Sequence, residues 1–249
     1  MERRDVLKII ASGLLSSATE ACTPTSSGIK PDRILEPKKG GAQQKNTREH
    51  ELKREIPADI AVAIKKLEAR FGLKKDEYAI IIDPASQRLF LIKNGETLKE
   101  YSVSTGKKGI GNTVGSQKTP FGTHRIKEKI GLGQKIGTIL VGEGDKNGTI
   151  APIIADTIDT PFDYVTTRLM RLDGQEPRIN KGGETDSHQR DIYIHGTPEE
   201  GLLGRPASHG CIRMKNTDIV KLFDVLPPRT LVEILNKEFI NDHRIASGK

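Results

Sequence analysis

The feature that most constrains this fold is a succession of short strand-like runs separated by turn residues. The dipeptide Asn94-Gly95 separates two such runs, and two-residue hairpin loops prefer this pair. We predict strands at 78–82, 88–93, 96–104, 124–130, 138–141, 166–172, 191–195 and 230–235, and one late helix at 216–226. Gly and Pro turns separate these runs, and no internal repeat of fixed period is present. The pattern therefore predicts a mainly β domain with a few short helices.

The first 21 residues have the pattern of an export signal. Arg3 and Arg4 precede a modest apolar run at 9–18, which is too short to span a bilayer. The string 3–8 resembles a twin-arginine signal, although its Asp and Val depart from that pattern. An ordinary exposed basic start is the alternative. The expected location is therefore the periplasm or cell envelope.

Cys22 directly follows this segment, at the position where a lipoprotein would be acylated. Lipidation signals place a Leu-like residue three positions earlier, whereas this chain has Thr19 there. Membrane contact is therefore expected only if Cys22 is lipidated. Residues 22–55 are rich in Pro, Gly, Ser, Lys and Gln and predict a flexible tether.

An amphipathic helix is predicted at 56–75, between the tether and the β domain. Its apolar residues recur at helical spacing and would pack on that domain; they are Ile60, Ile64, Leu67 and Phe71. The β domain itself is placed at 76–236, and a polar tail at 237–249.

Charge and glycine content argue against nucleic-acid and nucleotide binding. The net charge of +7 suits an anionic partner, but the basic residues are dispersed and lack an interleaved aromatic platform. The glycines between Gly106 and Gly115 do not complete a dinucleotide fingerprint, because its third glycine would fall at Val114. They also lack the Gly-Lys-Ser/Thr ending of a P-loop. Turns beside a cleft explain these glycines better.

Candidate chemistry concentrates around Cys211. A thiol becomes a strong nucleophile as the thiolate, so it needs a nearby base or cation. His209 lies two residues before Cys211, and His195 ends a predicted strand from which it could reach the thiol. Gly210 would let the backbone approach closely and leave loop amides to face a developing oxyanion.

Other interpretations of these residues stay open at this point. A lone Cys is often a small buried hydrophobic residue, and a lone His often serves local hydrogen bonding. A zinc site from His195, His209 and Cys211 would lack a clear fourth ligand. A disulfide between Cys22 and Cys211 would require the tether to fold back, and it would consume the candidate nucleophile.

The motif around the cysteine resembles the L,D-transpeptidase catalytic domain family, also called the YkuD domain. The resemblance rests on His195-Gly196 followed by the segment Ser208-His209-Gly210-Cys211-Ile212-Arg213-Met214. The strings at 103–107 and 119–123 resemble two further family motifs in the family's order, and 230–234 resembles its last strand. The family's fold is a mainly β sandwich of mixed sheets, with a cleft over the cysteine loop.

The resemblance implies a role for each motif residue. Cys211 would be the nucleophile, His195 its base, and Gly196 the residue whose carbonyl orients the histidine. His209 and Gly210 would line the catalytic loop, while Ser208 and Arg213 would contact substrate or support the loop. Residues 131–190 are longer and more polar than a minimal family domain requires, which indicates a lid or a substrate-binding insertion, with Asp163, Tyr164, Asp186 and His188 left unassigned.

The resemblance also implies the reaction and its partners. Peptidoglycan stem peptides would be the substrates, acylation by carbapenem-type inhibitors is expected, and neither a metal nor an organic cofactor is needed. The implied product is a cross-link between two third-position residues, while water or a surface protein as acceptor would give a carboxypeptidase or an anchoring enzyme. A non-catalytic wall-binding module is the competing class, and rapid labelling of Cys211 at neutral pH would count against it.

Overall fold

The computed structural model describes residues 56–141, 144–161 and 163–237. The export signal, Cys22, the tether and nearly all of the polar tail lie outside the described residues. The described helices are α1 (Ala58–Phe71) and α2 (Asn216–Val225). The strands are β1 (Ala79–Asp83), β2 (Arg88–Lys93), β3 (Glu96–Ser104), β4 (Gly122–Ile130), β5 (Thr138–Val141), β6 (Gly144–Ile150), β7 (Thr166–Gly174), β8 (Tyr193–Gly196), β9 (Ile212–Met214) and β10 (Leu231–Ile234).

The strands form one sheet in the order β4-β10-β1-β2-β3-β9-β8-β7-β5-β6, and an additional β4–β7 pairing closes it on itself. Two neighbouring pairs are parallel, β1 with β10 and β8 with β9, while the other pairs are antiparallel. The mainly β class with mixed strand directions is thus confirmed. The β4–β7 pairing closes the strands from β4 to β7 into a barrel-like layer, and the β5–β6 hairpin extends from β7.

Two apolar cores lie on opposite faces of β1, which explains why this strand is an unbroken buried apolar run before its final Asp. Ile80 and Ile82 belong to the larger core, which includes residues of α2 such as Leu222. Ala79 and Ile81 face the smaller core, to which α1 contributes residues such as Leu67. A helix with one apolar stripe buries that stripe against the sheet.

The local predictions agree closely with the observed elements. β2, β3 and β5 have the predicted limits, and Asn94 and Gly95 adopt positive φ angles of 54° and 73°, as their hairpin requires. Both predicted helices are present within a few residues of their expected ends. The predictions missed β6 and β9, because β9 has three residues and β6 carries polar and Gly residues.

The segment 131–190 is not a single insertion over the sheet. β7 lies within it and pairs with both β4 and β8, so the second half of the segment belongs to the closed sheet. The part that precedes β7 contains the β5–β6 hairpin and the loop 151–165. A lid can therefore be sought only in that first half.

A buried polar cluster anchors α1 to the domain. Lys66 Nζ lies 2.8 Å from Glu233 Oε1 and 3.2 Å from Glu176 Oε2, and both carboxylate side chains are 6% exposed. Thr123 donates to both acids, from its amide at 2.7 Å and its hydroxyl at 2.5 Å. Burial raises the pKa of Glu233, and Lys66 opposes that rise. Lys66 therefore compensates two acids that would otherwise face each other.

A buried histidine lies beside this cluster. His124 Nδ1 is 2.9 Å from the carbonyl of Gly122, and Nε2 is 2.9 Å from the hydroxyl of Ser187. Burial lowers the pKa of His124 to about 4. The folded protein thus keeps this imidazole neutral, which links stability to pH.

Candidate active site

The parallel pair β8 and β9 places the two central candidate residues on one face of the sheet. His195 is in register with Arg213, while Ile194 is in register with Ile212, which points to the opposite, apolar side. Cys211 directly precedes β9, two residues before Arg213. Because side chains alternate along a strand, Cys211 and Arg213 share the face of His195. Residues distant in sequence are thereby brought together.

The thiol of Cys211 is engaged by backbone groups at the start of β8. Its Sγ donates to the carbonyl of Asp191 at 3.3 Å and accepts from the amide of Tyr193 at 3.4 Å. Cys211 is partly exposed, yet burial of the thiol is the main cause that raises its pKa to about 12. The Tyr193 amide and Arg213 oppose that rise, while Asp163 and Asp191 add to it. The free protein therefore holds a neutral thiol at pH 7.

His195 is oriented as a base. Its Nδ1 lies 2.8 Å from the carbonyl of Gly196, which can only accept, so Nδ1 carries the proton and Nε2 the lone pair. Burial lowers the pKa of His195, against an opposing effect of Asp163. A Cβ at Gly196 would meet Asn216 Oδ1 and Thr166 O at 2.6 Å, which explains the glycine. The Gly196 carbonyl makes the contact that the family resemblance implies.

Ser208 and Gly210 build the turn that presents the cysteine. The Ser208 hydroxyl donates to the carbonyl of Cys211 at 2.6 Å and accepts from the amide of Gly210 at 3.1 Å. Gly210 has φ 123°, and a Cβ there would stand 3.1 Å from the carbonyl oxygen of Lys118. Close backbone approach thus accounts for the glycine. Ser208 is 1% exposed, and its hydroxyl is bonded within the loop. The hydroxyl is therefore not accessible for the predicted contact with substrate.

The two further motifs converge on the same loop through Thr119. Its buried hydroxyl donates to the carbonyl of Gly210 at 2.9 Å and accepts from the amide of Gly106 at 2.8 Å. Gly106 and Ser208 also form a parallel bridge. Three sequence segments, 103–107, 119–123 and 208–214, therefore meet at one threonine hydroxyl.

Arg213 is a buried cation held between two carboxylates. Its side chain is 1% exposed; Nη1 donates to Glu199 Oε2 at 2.6 Å, and Nε donates to Asp163 Oδ1 at 2.7 Å. Nη2 also lies 2.6 Å from Asp163 Oδ1, without the angle of a hydrogen bond. Glu199 is itself 1% exposed and accepts from the amide of Thr160 at 2.7 Å. The guanidinium therefore supports the loop, and recognition of a substrate carboxylate by it has no geometric basis here.

His209 lies on the exposed side of the loop, with 56% of its side chain accessible. Its amide donates to Asp163 Oδ2 at 3.0 Å, and its Nδ1 lies 3.2 Å from the same oxygen. The amides of His209 and Gly210 are thus both engaged, to Asp163 and Ser208. The expectation that these amides face an oxyanion is not met in this arrangement.

Arg190 holds the loop 106–119 next to the residue that accepts the thiol proton. Its guanidinium donates to the carbonyls of Asn112 at 2.8 Å, Lys118 at 2.6 Å and Gly111 at 3.2 Å. It directly precedes Asp191, whose carbonyl accepts the thiol proton, and its pKa is sensitive to the charge of Cys211. Arg190 thus ties the loop 106–119 to the residue that holds the thiol.

Sequence reasoning named several residues that the structure brings together around Cys211, but it did not assign the residues that support them. Asp163 lies 46 residues from His209 and carried no local signal, whereas Glu199 closely follows the His195 motif and could have been noted. Two of the other unassigned residues make contacts elsewhere: Asp186 accepts from the amides of Gly182 and Gln189, and His188 lies 3.2 Å from Glu128.

Within the described ranges, no group of three or more His, Cys, Asp or Glu side chains is arranged to hold a metal ion. In the same ranges, no helix has the length and apolar character needed to span a membrane.

Comparison with known proteins identifies the family. A model of the YkuD family, the L,D-transpeptidase catalytic domain, matches residues 77–234. The putative L,D-transpeptidase YqjB of Bacillus subtilis strain 168 is 50% identical over 44 residues, which are 17% of this chain and 25% of that protein. The chain thus aligns with about a quarter of the length of this curated relative.

Solved structures of L,D-transpeptidases are also similar to this chain. One from Xylanimonas cellulosilytica DSM 15894 is 17% identical, with 70% of this chain and 69% of that chain covered and a TM-score of 0.40. L,D-transpeptidase 3 from Mycobacterium tuberculosis, solved with a faropenem-derived adduct, is 15% identical, with 64% and 60% covered and a TM-score of 0.40. The family model spans more than half of this chain, including every motif residue described above, and the chain therefore belongs to the YkuD family of L,D-transpeptidase catalytic domains.

Proposed function

We propose that this protein is a peptidoglycan L,D-transpeptidase that uses Cys211 as nucleophile and His195 as general base. The observation that carries the proposal is the β8–β9 register, which pairs His195 with Arg213, two residues beyond Cys211, together with the His195 Nδ1 contact to the Gly196 carbonyl. That contact leaves Nε2 as the proton acceptor of a neutral imidazole.

In the first half-reaction, the thiol leaves the Asp191 carbonyl and transfers its proton to His195 Nε2. Sulfur attacks the carbonyl of the third residue of a stem tetrapeptide, typically meso-diaminopimelate, and a tetrahedral oxyanion forms. The C–N bond to D-Ala breaks, its nitrogen takes the proton from His195, and a thioester remains on Cys211. The thiol must therefore rotate away from Asp191, and catalytic hydrogen bonds commonly tighten only in the substrate complex.

The oxyanion needs donors that are already oriented. The amides of His209 and Gly210 are occupied by Asp163 and Ser208, so we assign the oxyanion contact to the amide of Cys211 itself. The Ser208 contact to the Cys211 carbonyl holds that turn in place.

In the second half-reaction, the side-chain amine of a neighbouring stem attacks the thioester. The amine loses a proton to His195, the C–S bond breaks, and the thiol is regenerated as the new amide forms. The product is a cross-link between two third-position residues. Two residues before β7 contact groups around the active site, since Thr160 is bound to Glu199 and Asp163 is bound to Arg213. We favour an amine over water because chain packed at this position would shield the thioester from water.

The test is incubation of the full chain with disaccharide tetrapeptides, followed by mass spectrometry of the products. A dimer that has lost one D-Ala is expected. Accumulation of disaccharide tripeptide alone, with acceptor stems in excess, would instead establish a carboxypeptidase or an enzyme that awaits a protein acceptor. Recovery of unchanged substrate, with bound muropeptide, would establish a wall-binding module.

The same assignment predicts acylation by carbapenems at Cys211, because these compounds present a strained carbonyl to the same thiol. We also propose an envelope location, on the basis of the N-terminal arginines and the apolar run that follows them. Cell fractionation with an antibody to the folded domain tests the location, and a cytosolic pool that carries the intact N-terminus would contradict it.

A further inference from the structure

Asp163 contacts the cysteine loop on both sides of Cys211. Its Oδ1 accepts from Arg213 Nε at 2.7 Å, two residues after the cysteine. Its Oδ2 accepts from the amide of His209 at 3.0 Å and lies 3.2 Å from His209 Nδ1, two residues before the cysteine. One carboxylate thus links both flanks of the turn, although it comes from the loop before β7.

We propose that Asp163 is a positioning residue of the active site, which holds the cysteine turn through His209 and Arg213. The inference deepens the proposed function and rests on it only for the effect on turnover. It extends the active site into the loop 151–165, which no sequence motif had indicated.

Electrostatics support this role independently of the contacts. Asp163 is the largest charge that opposes the burial-driven fall in the pKa of His195, and Arg213 adds to that fall. Besides burial, the charges of Asp163 and Asp191 raise the pKa of the thiol, while the charge of Arg213 lowers it. The side chains of His209 and Arg213 contact Asp163 itself.

Glu199 provides a matched control. It contacts the same buried guanidinium at 2.6 Å but does not touch His209, and it is not among the charges that shift the pKa of His195 or Cys211. Removal of either carboxylate leaves the other as counter-ion for Arg213, so both the Asp163→Asn and Glu199→Gln variants should fold. Both variants thus remove one counter-ion of Arg213, and only Asp163→Asn also alters the contacts with His209.

The experiment titrates the His195 ring by NMR in the full chain, with the signal identified by its loss in His195→Gln. Asp163→Asn should move this titration to lower pH, since a negative charge near the imidazole has been removed. Simple loosening of the loop would hydrate the ring and move it to higher pH. Glu199→Gln should leave it in place, and Asp163→Glu should restore the wild-type curve.

Turnover supplies the second readout. Asp163→Asn should lower kcat by roughly 10- to 100-fold with little change in KM, because the cysteine turn is misplaced. A titration that is unchanged or moves upward, or a kcat equal to that of Glu199→Gln, would overturn the inference. If wild-type protein has no transferase activity but the downward shift is seen, the proposed function fails while this inference stands.

If Asp163→Asn is recovered unfolded, His209→Ala takes its place, because it removes the His209 Nδ1 contact and leaves the amide hydrogen bond and the buried pair of Asp163 with Arg213. We expect unchanged thermal stability and a lowered kcat in that variant. A wild-type kcat would overturn the inference that Asp163 acts through the side chain of His209.

Discussion

The Sγ atom of Cys211 lies 3.3 Å from the carbonyl oxygen of Asp191 and donates to it. The thiol proton is therefore held by a backbone acceptor, and the described residues show no hydrogen bond between this thiol and His195. Burial raises the pKa of the thiol and lowers that of the imidazole, so both groups are neutral at pH 7. In the free protein, Cys211 and His195 are therefore an unreactive pair of neutral groups.

Alkylation of Cys211 should consequently be slow at neutral pH, contrary to the rapid labelling expected from sequence. With a pKa of about 12, the rate with iodoacetamide should rise roughly tenfold per pH unit from 7 to 10, without a plateau. Intact-protein mass spectrometry of a Cys22→Ser chain measures one thiol alone. A plateau below pH 9 would show that the thiolate is already stabilised in the free protein.

Replacement Cys211→Ala should abolish both the cross-linked product and the carbapenem adduct. The residue is partly exposed, and the loss of one sulfur should change thermal stability little. Product analysis and intact mass are measured on wild type and variant in parallel. An adduct that persists in the folded variant would place acylation at another residue.

Replacement His195→Gln should lower kcat by roughly 10²- to 10⁴-fold, because the general base is lost. In wild type, the acid limb of kcat/KM should have its midpoint below pH 6.5, since burial lowers the pKa of His195 and the base stays neutral there. His188→Gln is the matched control, because His188 contacts Glu128 and should leave turnover near wild type. An acid limb centred above pH 6.5 would contradict the assignment.

Stability should fall in acid because of His124. Its pKa is about 4 in the folded protein and about 6.5 unfolded, so the unfolded chain binds the extra proton between these values. The free energy of unfolding is therefore unaffected by His124 above pH 6.5, and it decreases by up to about 3 kcal/mol as the pH falls to 4. Urea unfolding of wild type and His124→Gln across this pH range measures the decrease. An equal decrease in both proteins would exclude His124 as its cause.

Replacement Lys66→Met should destabilise the domain by about 2–4 kcal/mol, somewhat below the effect for a fully buried pair because Lys66 is 25% exposed. The variant leaves Glu176 and Glu233 without their nearest cation, and protonation of Glu233 should recover part of the loss as pH falls. Lys65→Met, at the exposed neighbouring position, is the control. If both substitutions change the free energy of unfolding equally, the contacts of Lys66 with the two acids do not stabilise the domain.

Local sequence signals were sufficient for most of the fold. The Asn94-Gly95 turn and the alternating runs around it depend on backbone preferences of neighbouring residues, and β2 and β3 have the predicted limits for that reason. The apolar stripe of α1 was equally easy to recognise in the sequence, because burial of one helix face places apolar residues at helical spacing. β9 was not predicted, because three residues are too few to show the alternation of a strand.

The sequence by itself determined the catalytic candidates, because Cys211 and His195 lie in strings specific enough to indicate a family. Only the tertiary structure decided what surrounds them. The parallel register of β8 with β9, the Asp163 carboxylate between His209 and Arg213, and the Asp191 carbonyl on the thiol all join distant segments. Such contacts arise from the packing of segments that are distant in the chain, and no spacing along the chain encodes them. The protonation states of the two candidates follow from that packing, since burial and facing charges set them.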